Sequence, residues 1–265
     1  MKLYDAHAHF AAPELSPHWS QISHDLTQIG LQKAVVNGSS PADWPKVLQL
    51  AKSDSRLIPA IGLHPWYVNR AGADWQEHFL EAVAAGGQVI GEIGLDKWIK
   101  GYDLERQQDA FRWQLAQAST HNLPVSIHCL QAIGMLIHIL RSTSVPRRGI
   151  HLHAYNGPVE LLPELVEIGA YFSFNAGQLQ ASRPKISASI RAVPADRLLI
   201  ETDAPNMPAV QEGLRFELPK SAAGKPLTHP ASLINGYTAI AAIRTTPLDP
   251  LVKQVANNFE RYFLN

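Results

Sequence analysis

Eight short apolar segments, each followed by a stretch of helical periodicity, recur along the chain at spacings of about thirty residues. The apolar segments cover 2–10, 33–39, 57–65, 88–96, 124–129, 149–155, 170–175 and 197–203. Between them, 16–30, 40–53, 73–85, the segment around Leu104, Phe111, Leu115 and Ala118, 131–141, 157–169 and 183–192 read as helices. Gly30 and Gly169 mark helix stops and Pro41 a helix start. Two more helices, 231–244 and 251–263, follow the last segment. Strict strand–helix alternation requires a parallel sheet, because a parallel neighbour is reached only through a crossover. Eight such repeats within 265 residues match a single (β/α)8 TIM barrel, an α/β fold, here with an additional C-terminal helix. An open doubly wound sheet would carry a glycine-rich turn after the first strand, and that position reads His-Ala-His-Phe instead. With no linker, low-complexity tract or internal repeat, residues 1–265 are expected to form one domain.

The polar residues that interrupt these strands fall in one place. His7, His9, His64, Glu92, His128, His153 and Asp203 all lie at or near the C-terminal ends of predicted strands. In a (β/α)8 barrel those ends converge on the mouth where active sites are built. His7 and His9 share a strand face, with Asp5 one step below them, because strand side chains alternate. Each residue alone has an ordinary explanation: His128 as a hydrogen-bonded core histidine, Asp203 as a cap on the turn before Pro205. Together they are a costly set of buried groups unless paired or bound to metal. Four histidines and two carboxylates suffice for two divalent ions sharing a bridging carboxylate. Zinc, magnesium or manganese suits such donors, as do iron and nickel.

Charge and cysteine content narrow the setting. Lys+Arg and Asp+Glu are both 23, so the charge balance lends no support to gripping a long duplex. Nucleic acid ends or a small phosphoester remain suitable partners, and no obligate protein partner is evident. The single cysteine, Cys129, forms no internal disulfide and suits a cytoplasmic location. The chain is expected to enter its first strand almost at once, without a charged-then-apolar leader, and no apolar run is long enough to span a bilayer.

Several motifs stand in a recognisable order: Asp5-Ala-His-Ala-His9, Gly62-Leu-His-Pro65, Gly91-Glu-Ile-Gly-Leu-Asp96, Glu105-Arg-Gln107, Leu123-Pro-Val-Ser-Ile-His128, His153-Ala-Tyr-Asn-Gly157, Glu201-Thr-Asp-Ala-Pro205 and Asn257-Asn-Phe-Glu-Arg-Tyr-Phe263. Through them the chain resembles, over nearly its whole length, the TatD-type metal-dependent hydrolases, often called TatD deoxyribonucleases, of the amidohydrolase-like barrels. The resemblance implies His7, His9, Glu92, His128, His153 and Asp203 as metal ligands, with Glu92 bridging and His64 contacting a substrate phosphate. It also implies a phosphodiesterase, exonuclease-like, in which a divalent ion supplies hydroxide from its bound water. Glu92 and Asp203 are then the catalytic carboxylates, Asp203 also taking the proton. The usual His-x-Phe-Ser-Gly motif reads His153-Ala-Tyr-Asn-Gly157, so Tyr155 and Asn156 are expected to alter the rim. The loop 206–230 departs most, and its cations Arg215, Lys220 and Lys225 are either phosphate contacts or ordinary solvated surface.

Three other residues are read as structural. Alternation turns Cys129 away from the mouth, as a small filler beside the helices. His151 shares the face of His153 one layer deeper, and Asp96 either supports a ligand histidine or ends its strand. Two rival functions share the fold: an amidohydrolase-type C–N or ester hydrolase, and a non-catalytic barrel module. The first would place a carbamylated lysine on strand four, where this chain has Glu92 and the nearest lysine, Lys97, follows in the loop. The second would have lost strand-end ligands, and all six are present.

Overall fold

A computed structural model describes residues 1–179, 184–209 and 215–265. Its strands are β1 (Leu3–Ala8), β2 (Leu31–Asn37), β3 (Leu57–Ile61), β4 (Val89–Asp96), β5 (Val125–Leu130), β6 (Ile150–Leu152), β7 (Ala170–Phe174) and β8 (Leu198–Ile200). They form one sheet in sequence order, β1 to β8. The intervening helices are α1 (Trp19–Ile29), α2 (Trp44–Ser53), α3 (Trp75–Ala84), α4 (Leu104–His121), α5 (Ile133–Ser142), α6 (Leu162–Glu167) and α7 (Pro184–Ala192). After β8 come α8 (Leu233–Ile243) and α9 (Leu248–Phe259). This is the expected TIM barrel, with α9 as the additional helix. Among the described residues no helix is long and apolar enough to cross a membrane.

The elements differ from the periodicity at identifiable points. The helix expected over 157–169 is split into a 3-10 turn, Val159–Leu161, and a short α6. Pro163 has no N–H to bond back to residue 159, so the α-helical ladder is broken between the 3-10 turn and α6. The final helix passes into a π turn over Glu260–Leu264. Arg183, expected to open α7, and part of the loop 206–230 lie outside the described residues.

The chain divides into two compact units. One comprises Val35–His153 and Pro163–Tyr171. Here β3, β4, β5 and β6 pair in parallel, with Ile61 beside Ile90, Gly94 beside His128 and Ser126 beside His151. All of β4 is buried, as expected for a strand covered on both faces. Its register with β5 slips between Ile90 and Ile93, where Glu92 lies. Gly94 permits the close pairing that follows: its φ is +143°, and a Cβ there would stand 1.9 Å from the His128 carbonyl oxygen.

The other unit comprises Met1–Ala34, Ala154–Leu162 and Phe172–Asn265. Phe172 and Phe174 pair with Leu198 and Ile200 across β7 and β8. Past the end of β8 the chain joins β1: Asp203 N–H donates to the His7 carbonyl at 2.9 Å, and His9 N–H to the Ala204 carbonyl at 2.7 Å. Behind this seam the buried Tyr237 hydroxyl donates to the Tyr4 carbonyl and accepts from the Tyr4 N–H. Asn258 of α9 donates to the carbonyls of Ala195 and Leu198, both at 2.8 Å. The C-terminal aromatic run thus packs where β8 begins, with Phe259, Tyr262 and Phe263 buried.

Candidate metal centre

The seven residues singled out at the strand ends gather into two groups, one in each unit. The first is His7, His9 and Asp203. The His7 and His9 rings meet edge to face with their Nε2 atoms 3.3 Å apart. Asp203 Oδ1 stands 3.5 Å from His9 Nε2 and 3.8 Å from His7 Nε2. Strand alternation brings the imidazoles together, and the β1–β8 seam delivers the carboxylate. Asp203 has φ +54°, in the left-handed region that aspartate enters more readily than most residues. Below them Asp5 is no ligand: it accepts from the Thr202 hydroxyl at 2.6 Å and from the Thr202 and His7 N–H groups. Burial pushes its carboxyl up to about 8, against these hydrogen bonds, which favour its charged form.

The second group centres on one atom. Glu92 Oε1 lies 2.8 Å from His153 Nε2, 2.9 Å from His128 Nδ1 and 3.3 Å from His64 Nε2. On its other side His128 Nε2 lies 2.8 Å from Asp96 Oδ2. If the single proton of a neutral His128 goes to Asp96, the Nδ1 lone pair faces both the Glu92 carboxylate and His153 Nε2 at 3.3 Å. Two acceptors in contact must share either a second proton or a cation. Burial would lower the His128 pKa, but the Asp96 and Glu92 hydrogen bonds outweigh it and raise it. The donor chemistry fits a divalent ion: imidazole and carboxylate around one point, with a carboxylate behind the histidine fixing its tautomer.

Asp96 is the support that the sequence left open. Besides His128 it takes the Trp66 indole N–H at 2.7 Å and the backbone N–H groups of Trp98 and Ile99. Burial acts to raise its carboxyl, and these hydrogen bonds, His128 first, hold it down to about 2. Gln107 explains the Glu105-Arg-Gln107 motif: its amide grips both the N–H and the carbonyl of Asp96 at 2.9 Å.

Other expectations resolve one by one. His151 is fully buried, its Nδ1 3.3 Å from the Ser126 hydroxyl, and burial pushes its pKa well down. Cys129 is half-buried and its thiol is pushed up to about 12 by burial. Tyr155 does not alter a rim as expected. Its ring packs on Phe172 and its hydroxyl donates to the Pro158 carbonyl, which seats it in the core. Arg215 lies over the Phe216 ring at 5.0 Å. Sequence reasoning missed Glu201, which is buried and accepts from the Ser173 hydroxyl and the Asn175 amide. Its signals in the sequence are an acid inside the apolar run of the last strand and its place at the head of the Glu201-Thr-Asp-Ala-Pro205 motif.

Known proteins resemble this chain over nearly its whole length. Residues 4–264 match the family described as TatD related DNase. The uncharacterized metal-dependent hydrolase YjjV of Escherichia coli is 27% identical, covering 97% of this chain and 96% of its own. The crystal structure of that TatD homolog superposes with a TM-score of 0.88 over 98% of this chain and 97% of its own, at 26% identity. A protein named 3'-5' ssDNA/RNA exonuclease TatD, from Erwinia tasmaniensis, is 25% identical over 98% of this chain and 99% of its own. The chain therefore belongs to the TatD related DNase family.

Proposed function

We propose that this chain, acting as one domain over residues 1–265, is a divalent-metal-dependent phosphodiesterase that trims single-stranded nucleic acid from an end. The observation that carries the reading is the Glu92 oxygen with the His153 and His128 imidazole nitrogens at 2.8 and 2.9 Å, an arrangement suited to holding a cation. Family membership and the exonuclease name of a relative point to the phosphodiester bond. His7, His9 and Asp203 would hold an ion in one unit, and Glu92, His128 and His153 would do so in the other. Zinc, magnesium and manganese all suit these donors. When bound, such an ion brings an attacking water toward ionisation at neutral pH and draws charge from the phosphoryl oxygens.

The chain's own residues do the rest. Asp96 holds His128 in one tautomer, so that Nδ1 is the lone-pair side. Asp203 accepts the proton released by the attacking water on its carboxylate. His64 accepts the Trp66 N–H at Nδ1, which leaves the proton on Nε2 to donate to a phosphate oxygen. A cytoplasmic setting belongs to this reading and is supported by the lone cysteine. The C–N hydrolase alternative calls for a lysine on β4, and Val89–Asp96 contains none.

The test is elemental analysis of the purified protein, then chelation, reloading with each ion in turn, and turnover of bis(4-nitrophenyl) phosphate, a 3′-labelled oligonucleotide and a cyclic amide. Ion-dependent cleavage of both phosphodiesters is expected. Amide hydrolysis alone, or unchanged turnover by Glu92→Ala, would overturn the reading.

A further inference from the structure

Among the described residues, the large aromatic side chains that stay exposed are Trp66, Trp98 and Tyr102. All three lie on the segments that follow β3 and β4, and one carboxylate ties those segments together. Asp96 takes the Trp66 indole N–H on Oδ2 and the Trp98 backbone N–H on Oδ1, each at 2.7 Å. Asn69, three residues after Trp66, donates its amide to the Gly101 carbonyl at 3.2 Å. The same Asp96 holds His128, and the Trp66 ring stands edge-on to His64 at 5.1 Å. The two segments that carry these aromatics are therefore anchored on the carboxylate that holds His128, beside the donor group around Glu92.

Single exposed aromatics are common and call for no explanation, but a cluster beside a polar site does. Trp98 is 62% exposed and Tyr102 41%, so both present ring surface to solvent. They belong to the run Lys97-Trp-Ile-Lys-Gly-Tyr102, in which two exposed lysines alternate with two exposed rings. A purely apolar partner would leave those ammonium groups without counter-charges. A duplex offers phosphates but hides its base faces. A single strand presents both, a phosphate and an unstacked π-face at every step, and aromatic platforms interleaved with cations bind it with little base preference.

We propose that Trp98 and Tyr102, with Trp66 at the inner edge, form a stacking platform for the bases adjoining the end of a single-stranded nucleic acid, and that Lys97 and Lys100 meet its phosphates. This rests on the reading of the chain as a nuclease and adds where the strand lies and why it must be single. Such a platform selects strandedness rather than sequence.

Equilibrium binding of a fluorescent oligothymidylate to the metal-free protein tests the platform apart from any chemistry. Quenching of tryptophan emission is expected on binding. An abasic strand of equal length and charge should bind about ten-fold more weakly, about 1.4 kcal/mol. Trp98→Ala should lose that discrimination, while Leu80→Ser, at an exposed apolar position on α3, should keep it. Equal affinity for the two strands in the unsubstituted protein, or undiminished discrimination in Trp98→Ala, would overturn the proposal. Turnover of bis(4-nitrophenyl) phosphate by the reloaded protein is read separately. Its absence alongside intact discrimination would sink the nuclease reading and leave the platform standing.

Discussion

Asp96 accepts four hydrogen bonds, two on each oxygen: from His128 and the Trp66 indole on Oδ2, and from the Trp98 and Ile99 N–H groups on Oδ1. Its carboxyl titrates near 2 instead of 3.8, so the folded chain resists the proton that the unfolded chain takes up. The stability it supplies is complete above about pH 4 and is lost as pH falls toward 2, a contribution on the order of 2 kcal/mol. Urea unfolding of the metal-free protein should show Asp96→Asn weaker than the parent at pH 7, with the gap narrowing at pH 3. The same variant should bind a divalent ion about 10- to 100-fold less tightly in chelator competition, because nothing then fixes the His128 tautomer. Cys129 makes the opposite kind of prediction. With its thiol pushed up to about 12, alkylation of the folded protein at pH 8, followed by mass spectrometry, should be far slower than of an unstructured cysteine.

At the scale of elements, the β4–β5 pairing depends on one glycine. Gly94→Ala asks for a Cβ where the His128 carbonyl already stands, at a φ that side chains rarely adopt. It should cost roughly 3 kcal/mol or more and lower the Tm by about 6 °C or more in a thermal scan. Asn258→Ala removes the donor from two carbonyls at the start of β8 and should cost roughly 2–3 kcal/mol in denaturant unfolding. The elements themselves were legible because helical and strand periodicities differ, and every α/β unit repeats the change of period. What periodicity could not show was termination. The split before α6 follows from the missing N–H of Pro163. β6 and β8 stop at three residues each, so His153 and Asp203 lie past the ends of their strands. Tyr155 was misread for a related reason: a motif difference reveals an altered residue but not whether its ring turns in or out.

For the whole molecule, the polar residues that gather at the strand ends could be picked out because strand ends are countable, and side chains two apart on a strand point the same way. The groups that hold those residues in place were harder to find. Gln107, Trp66 and Thr202 reach Asp96 and Asp5 from elsewhere in the chain, and no local pattern announces such reach. A folded protein that binds an ion its unfolded chain does not gains about 2.7 kcal/mol at one hundred times the Kd. Added zinc or manganese should therefore raise the Tm of the chelated protein, and Glu92→Ala should lose much of that rise. The seam between β1 and β8 gives this coupling a temporal side. His7 and His9 precede Asp203 by about two hundred residues, so the three meet only once that length of chain has been made and β8 has joined β1. This group of donors is thus a late product of folding, incomplete in any shorter length of chain.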